Sequence, residues 1–410
     1  MLHWANQCNI LLFLDSNQYT HTNGAYECLC GAGGLTEVRN DNNQLSGLKE
    51  NFMQHKDWLF GHINYDFKNK LERLKSEYAS HYEFDDIHFF QPETVCYILR
   101  NECEIHIESA FKNPEEIWHE IQQQPIEILA GNEPEISFQK RIEESEYLDI
   151  IGHLKDHIIN GDCYEINFCN EAFSENVAIN PLNAFHQLNR LSPAPFAAYY
   201  KSSGQHLMCA SPERYLRKED DRIIAQPIKG TAKRSSDSLL DKELQYGLSN
   251  SIKERAENVM IVDLMRNDLA RFCEVDSVTV EELFGIYTFP QVHQMISTIS
   301  GKLKSEYSLF DAIRLSFPMG SMTGAPKIMV MKLIEQYEKA RRELFSGCVG
   351  YISPDGNFDF NVIIRSLFYN QNSKYLGYQT GGAITFNSDP TQEWQETLLK
   401  AMALEKIFHT

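Results

Sequence analysis

The chain has 410 residues, of which 42% are hydrophobic and 23% charged, and it carries a formal net charge of −19. That suffices for one large or two ordinary domains with a sizeable core, and it excludes global disorder. The acidic balance argues against nucleic acid or an anionic membrane surface as the main partner, because both select a basic face. It leaves open a small anion held locally by Lys, Arg, a metal ion or backbone N–H groups.

From the N-terminus, the run Ile10–Leu14 is apolar but short, with no charged segment before it, so it reads as a strand and not as a signal peptide. No stretch approaches the ~20 apolar residues of a membrane helix. The expectation is a cytoplasmic protein that does not enter a membrane. The ten cysteines are irregularly spaced, with Cys28 and Cys30 the one close pair. They read as small buried residues of a reducing compartment, with C-x-C as a weak metal signal beside that reading. Thr94–Leu99 is a second strand, and polar turns such as Asn40-Asp41-Asn42-Asn43 break the region. The stretch Gln122–Glu135, with Pro125, Gly131 and Pro134, is the expected boundary between a sheet-contributing region, 1–135, and a second region, 140–408.

A helix is expected from Ser145, with Tyr147, Ile150, Ile151, Leu154 and Ile158 at helical spacing. Asn160-Gly161-Asp162 ends it, and Cys163–Phe168 follows as a strand. Further strands are expected at Ala197–Tyr200, Tyr215–Arg217, Cys348–Ile352, Phe358–Phe368 and Ala383–Phe386, with helices at about 239–271, 309–316, 326–342 and 391–408. The elements interleave without regular alternation, which predicts an α+β architecture and not a doubly wound parallel sheet.

Three patterns carry possible chemistry. Glu254 and Glu257 lie three apart on one helix face and lead into Ile261 and Leu264; Glu393 and Glu396 repeat the spacing on the last helix. That last helix has Asp389 placed as N-cap, Pro390 at the first position and Gln392 where a capping-box partner stands. If the two E-x-x-E faces meet, they form a carboxylate site for a hard cation such as Mg²⁺; if not, they are two solvated helix faces. Gly320-Ser321-Met322-Thr323-Gly324-Ala325-Pro326-Lys327 precedes an apolar helix and is either an anion-binding helix start or an ordinary turn. Gly381-Gly382-Ala383 is a weaker candidate of the same kind, and Gly31-Ala32-Gly33-Gly34 reads as a turn. Arg365 stands within the apolar run Val362–Leu367, where a charge calls for a carboxylate from the protein or a ligand.

Taken together, Ser211-Pro212-Glu213-Arg214, Pro227–Thr231, Lys253–Arg271, Gly320–Lys327, Ile363–Leu367 and Gly381–Pro390 resemble the chorismate-binding enzymes in identity and order. That family includes the component I chains of anthranilate and aminodeoxychorismate synthases, and the isochorismate and salicylate synthases. The resemblance covers about residues 140–408 closely, and the N-terminal region more loosely through Gly61–Asn69 and Leu11–Ser16. It implies two large packed antiparallel sheets with surrounding helices and an active site between them. It also implies that Glu257 and Glu396 bind Mg²⁺ directly and that Glu254 and Glu393 act through water, the ion holding the ring carboxylate of chorismate. Arg365 would pair with the enolpyruvyl carboxylate. Ser321, Thr323, Thr231, Gly382 and Ala383 would line the substrate, and Glu213 would protonate the departing 4-hydroxyl group.

Within the family, Lys229 of the Pro227–Thr231 motif marks the members that aminate chorismate at C4, where anthranilate-forming members carry Ala. By pattern alone it is a lysine in a turn. Its amine could add to C2 as the 4-hydroxyl leaves, with ammonia then attacking C4 and expelling it. Burial near Mg²⁺ is expected to lower its pKa and leave a neutral amine. Glu165 stands where isochorismate and salicylate synthases carry a water-activating Lys. Gln294 stands where anthranilate-forming members carry His, with His293 one residue early, and Phe345 stands in place of their Tyr. Leu11–Ser16 only partly matches a tryptophan-binding segment of some relatives, so a vestigial pocket or a purely structural role is expected for it, and no feedback inhibition. No G-x-C-x-G nucleophile setting is present, and the resemblance implies a separate glutamine amidotransferase subunit that supplies ammonia. The competing readings are C2 amination with pyruvate elimination, and a non-catalytic chorismate-binding regulatory subunit.

Overall fold

Alternating strands dominate, and their alternation sorts side chains to two faces. Along Phe196–Ser202 and Gln205–Ser211, Ala198, Tyr200, Leu207 and Cys209 enter one core, while Ala197, Tyr199, Met208 and Ala210 enter another. The computed structural model describes residues 1–19, 24–40, 45–125, 134–289 and 292–409. Among these, the strands form an 11-stranded and a 10-stranded sheet, antiparallel throughout. The first is centred on Glu165–Ser174, Tyr375–Ile384, Ser366–Asn370, Gln205–Ser211 and Phe196–Ser202. The second runs through Ile228–Lys233, Val292–Lys302, Arg222–Gln226, Arg214–Glu219, Phe358–Val362 and Cys348–Ile352.

The sheets pack through Leu12, Phe60, Phe89, Tyr200, Leu207 and Phe360, all fully buried. Each such side chain contributes roughly 1.5–3 kcal/mol by leaving water. Both sheets take strands from either side of the 122–135 stretch, of which 126–133 lie outside the described residues. Ile10–Asp15 pairs with Phe196–Ser202, and Leu59–Ile63 pairs with Cys348–Ile352. Asp41, Asn42 and Asn43 of the expected turn also lie outside the described residues. The described helices include none long and apolar enough to cross a membrane.

Four expected elements differ, the first being the strand expected at Ala383–Phe386, which is the end of the longer strand Tyr375–Ile384. Phe358–Phe368 is two strands, Phe358–Val362 in the second sheet and Ser366–Asn370 in the first. The chain changes sheet at Ile363–Arg365, and Arg365 takes a left-handed φ of 54° that no strand tolerates. The expected helix 239–271 is two, Ser238–Asn250 and Ile252–Ala270, because extended Ser251 caps the second by accepting from the Glu254 N–H. The helix expected to reach 342 spans Lys327–Tyr337, and Glu338 is extended. The helices Glu144–Ile159 and Leu309–Ser316 and the strand Cys348–Ile352 lie where the spacing puts them.

Candidate active site

Two crossings between the sheets meet at one place. Ser211 ends a strand of the first sheet and Arg214 begins one of the second, so Pro212 and Glu213 form the link. The Ser211 hydroxyl donates to the Val362 carbonyl at 2.6 Å and accepts from the Glu213 N–H at 3.2 Å, and the Val362 N–H donates to the Glu213 carbonyl at 3.0 Å. The return crossing carries Arg365. Between these crossings and two helices lies a cavity of about 630 Å³. Eleven of the twelve residues named from the sequence line it: Lys229, Glu213, Arg365, Ser321, Gly382, Ala383, Thr231, Glu257, Glu396, Glu254 and Glu393.

Thr323 is the exception. It is fully buried behind the wall, and its hydroxyl donates to the Met319 and Gly320 carbonyls at 3.1 and 3.3 Å. The following helix start stands back from the cavity. Lys327 turns to Asp268, at 2.7 Å, and to the Ser316 carbonyl at 3.1 Å, so this loop gives the cavity only Ser321 and Met322.

The two E-x-x-E faces do meet. The Ile252–Ala270 helix lies on the second sheet and Pro390–Glu405 on the first. Asp389 caps the latter by accepting from the Gln392 N–H at 3.0 Å, with Pro390 in its first turn. Lys253 bridges the faces, 3.9 Å from Glu257 and 4.0 Å from Glu393. Burial pushes the Glu257 carboxyl up to about 7, and raises Glu254 and Glu393 as well. Glu396 is held below the usual range by Lys400, its ion-pair partner at 2.6 Å. Among the described residues no three His, Cys, Asp or Glu side chains close on one point as a complete cage. The donor set still fits Mg²⁺, which takes one or two carboxylates and fills the rest with water and substrate oxygens. Glu257 Oε1 supplies the sign of a missing partner, being buried with no hydrogen bond.

Glycines let these parts close. A Cβ on Gly382 would stand 3.0 Å from Glu393 Oε2, and one on Gly230, whose φ is 95°, would stand 3.0 Å from Glu254 Oε2. Around Gly230 the ladder to Val292–Lys302 slips: Ile228 pairs with Ile296, and Thr231 with Gln294. That bulge inserts a residue and re-aims Lys229.

Lys229 reaches the cavity wall yet is almost wholly buried, and its Nζ pairs with Glu165 Oε1 at 2.7 Å. The expected lowering of its pKa is overturned among the protein groups. Burial does lower it, but the attraction of Glu165, with Glu257 and Glu213 behind, outweighs burial and holds the ammonium above its ordinary value. Glu213 behaves as a general acid should: burial pushes its carboxyl up to about 7, against smaller opposing pulls from Ser321, Lys229 and the Ile228 N–H.

Strand parity sends His293 and Gln294 to opposite faces. Gln294 faces the cavity, and its Oε1 is buried without a partner. His293 faces the other way, its imidazole against Asp241 and Thr288, both at 3.0 Å. Phe345 also lines the cavity. Sequence reading missed the partners that arrive from afar. Buried Arg342 donates to the Met322 carbonyl at 2.6 Å and the Asn167 carbonyl at 2.7 Å while paired with Glu338, so it fixes the Ser321 loop. Lys400 donates to the Gly381 carbonyl at 2.7 Å and ties the glycine strand to the last helix. Neither carries a local sequence signal.

Comparison with known proteins agrees with this geometry. The chorismate binding enzyme family matches residues 14–406. Aminodeoxychorismate synthase component 1 of Klebsiella aerogenes is 34% identical over 353 residues, covering 86% of this chain and 76% of that protein. Aminodeoxychorismate synthase of Streptomyces griseus is 37% identical over 296 residues, 70% of this chain, and the match spans only 40% of that longer protein. The crystal structure of anthranilate synthase component I from Streptococcus pneumoniae superposes with a TM-score of 0.81 at 24% identity, covering 93% of this chain and 92% of the other. That likeness establishes the fold of two packed sheets, and the chain belongs to the chorismate binding enzyme family.

Proposed function

We propose that the chain aminates chorismate at C4, giving 4-amino-4-deoxychorismate for para-aminobenzoate and folate synthesis. Its ammonia comes from glutamine through a separate amidotransferase subunit. The observation that carries this reading is Lys229, placed in the cavity wall beside Glu213. The names of the Klebsiella and Streptomyces relatives support it, and "component 1" in the former fits the need for a second subunit.

In this reading the substrate lies between the two crossings. Arg365, which forms no ion pair among the described residues and has only the charge of Glu396 acting on it from further off, holds the enolpyruvyl carboxylate. Ser321, Thr231 and the Gly382–Ala383 backbone shape the ring site, and Thr323 supports the Ser321 loop from behind. Glu257 and Glu396 would hold Mg²⁺, with Glu254 and Glu393 acting through water; the ion would bind the ring carboxylate and neutralise the crowded glutamates. The Lys229 amine adds to C2 as the C4–O bond breaks, and Glu213 gives its proton to the leaving hydroxyl, which departs as water. Ammonia then attacks C4, the C2–N bond breaks, and its electron pair returns to Lys229. Proton loss from the new C4 ammonium restores Glu213.

Gln294 in place of a cavity-facing His favours this product over anthranilate, and a buried acid near pH 7 is more than a purely binding subunit needs. Incubation with chorismate, Mg²⁺ and ammonium, followed by mass spectrometry, tests the assignment. The expected product is 4-amino-4-deoxychorismate. Fluorescent anthranilate formed without an added lyase would refute it, as would Mg²⁺-independent binding without turnover.

A further inference from the structure

Glu165 is a buried carboxylate that the reaction above does not use. It begins the strand Glu165–Ser174, is 2% exposed, and is not part of the cavity wall. The short strand Gly324–Ala325 pairs directly over it, so closely that a Cβ on Gly324 would stand 2.1 Å from the Glu165 carbonyl. Its side chain has one ion-pair partner among the described residues, Lys229 Nζ at 2.7 Å. Lys229 therefore spans from substrate space on one side to a carboxylate sealed from solvent on the other.

That placement answers a requirement of the proposed reaction, on which this inference rests. An ammonium has no lone pair and cannot attack carbon, so Lys229 must shed a proton before it adds to C2. Glu257 and Glu213 also face Lys229, but neither is within ion-pair distance of its Nζ. Glu213 must moreover keep its proton for the leaving hydroxyl. We propose that Glu165 is the catalytic base that takes the Lys229 proton before attack and returns it when the lysine is expelled. Lys229–NH₃⁺ and Glu165 carboxylate become Lys229–NH₂ and Glu165 carboxylic acid. The amine then forms the C2–N bond. When ammonia attacks C4 and that bond breaks, the neutral amine recovers the proton from Glu165, so the pair is restored with no net change. The same contact holds the amine in the wall before substrate arrives.

The test is single-turnover formation of the Lys229 adduct from chorismate and Mg²⁺, followed by intact-protein mass in Glu165→Gln, Glu165→Asp and Lys229→Ala. Glutamine keeps the size and a hydrogen bond but accepts no proton. Glu165→Gln is expected to slow adduct formation about 100-fold, the low end of general-base effects, while chorismate affinity by calorimetry stays at the wild-type value. Glu165→Asp should recover part of the rate. Stripping the carboxylate also lets a buried lysine lose its proton to solvent more readily. A Glu165→Gln enzyme as fast as wild type, or faster, would therefore overturn the assignment, and so would loss of chorismate affinity in step with rate. Wild-type C4 amination by Lys229→Ala would instead sink the reading of the whole site.

Discussion

Two cavities lie between the same two sheets, and they treat their polar groups differently. The smaller, near Leu14, Tyr26 and Arg100, has about 60 Å³, room for about two waters. Its charges are answered by the protein. Arg214 donates two 2.8 Å bonds to Asp359 and stacks on Phe196, and the Asp15 carboxylate accepts from the Asn17 N–H and the Asn189 amide. Arg100 donates to the Tyr19 carbonyl at 2.6 Å, and the Ser16 hydroxyl there is buried with no hydrogen bond. In the larger cavity, of about 630 Å³, Glu257 Oε1 and Gln294 Oε1 are buried without a hydrogen bond, Lys253 standing 3.9 Å from the former, and Arg365 forms no ion pair among the described residues, with only the charge of Glu396 acting on it from further off. A buried polar atom left unpaired costs about 1–3 kcal/mol. Such atoms around a space of this size fit the proposed ligand site, whereas the Arg214–Asp359 pair of the smaller cavity is closed within the protein.

Substitutions can break this contrast. Lys229→Ala should have the largest effect, reducing C4 amination to background in the chorismate assay while thermal stability holds. Glu213→Gln should lower kcat about 10²–10⁴-fold. The wild-type pH profile should report the same group. Its carboxyl, pushed up to about 7, donates only while protonated, so kcat should fall as pH rises through about 7, and the Gln variant should lack that limb. In the small cavity, Asp359→Ala should cost about 3–5 kcal/mol in denaturant unfolding, because the buried Arg214 loses its carboxylate. It should leave the chorismate KM unchanged. Ser16→Ala should move stability by no more than about 0.5 kcal/mol, and a large loss of activity there would erase the distinction between the cavities.

Local signals were legible in the sequence. The Asp389–Pro390 start of the last helix and the three-residue spacing of both glutamate pairs follow from backbone geometry within one turn. So did the α+β class with its two packed sheets, through the order of the family motifs. Contacts made across the fold were not legible. Glu165 read as a missing lysine, because nothing local says that the bulge at Lys229–Gly230 brings the ammonium to it. Arg365 read as a charge within one strand, because a left-handed residue between apolar runs leaves no mark on their hydrophobicity. Thr323 read as a lining residue through the family resemblance, and only the loop's own hydrogen bonds show its hydroxyl turned inward.

In the proposed reaction the larger cavity carries chorismate to a C4-aminated product through Lys229. Mixing the enzyme with chorismate and Mg²⁺ without ammonia, then mapping peptides by mass, tests it most directly. A chorismate-derived adduct on the Lys229 peptide, chased into 4-amino-4-deoxychorismate when ammonium is added, is the predicted result. Product formed at full rate with Lys229 unmodified throughout would contradict it.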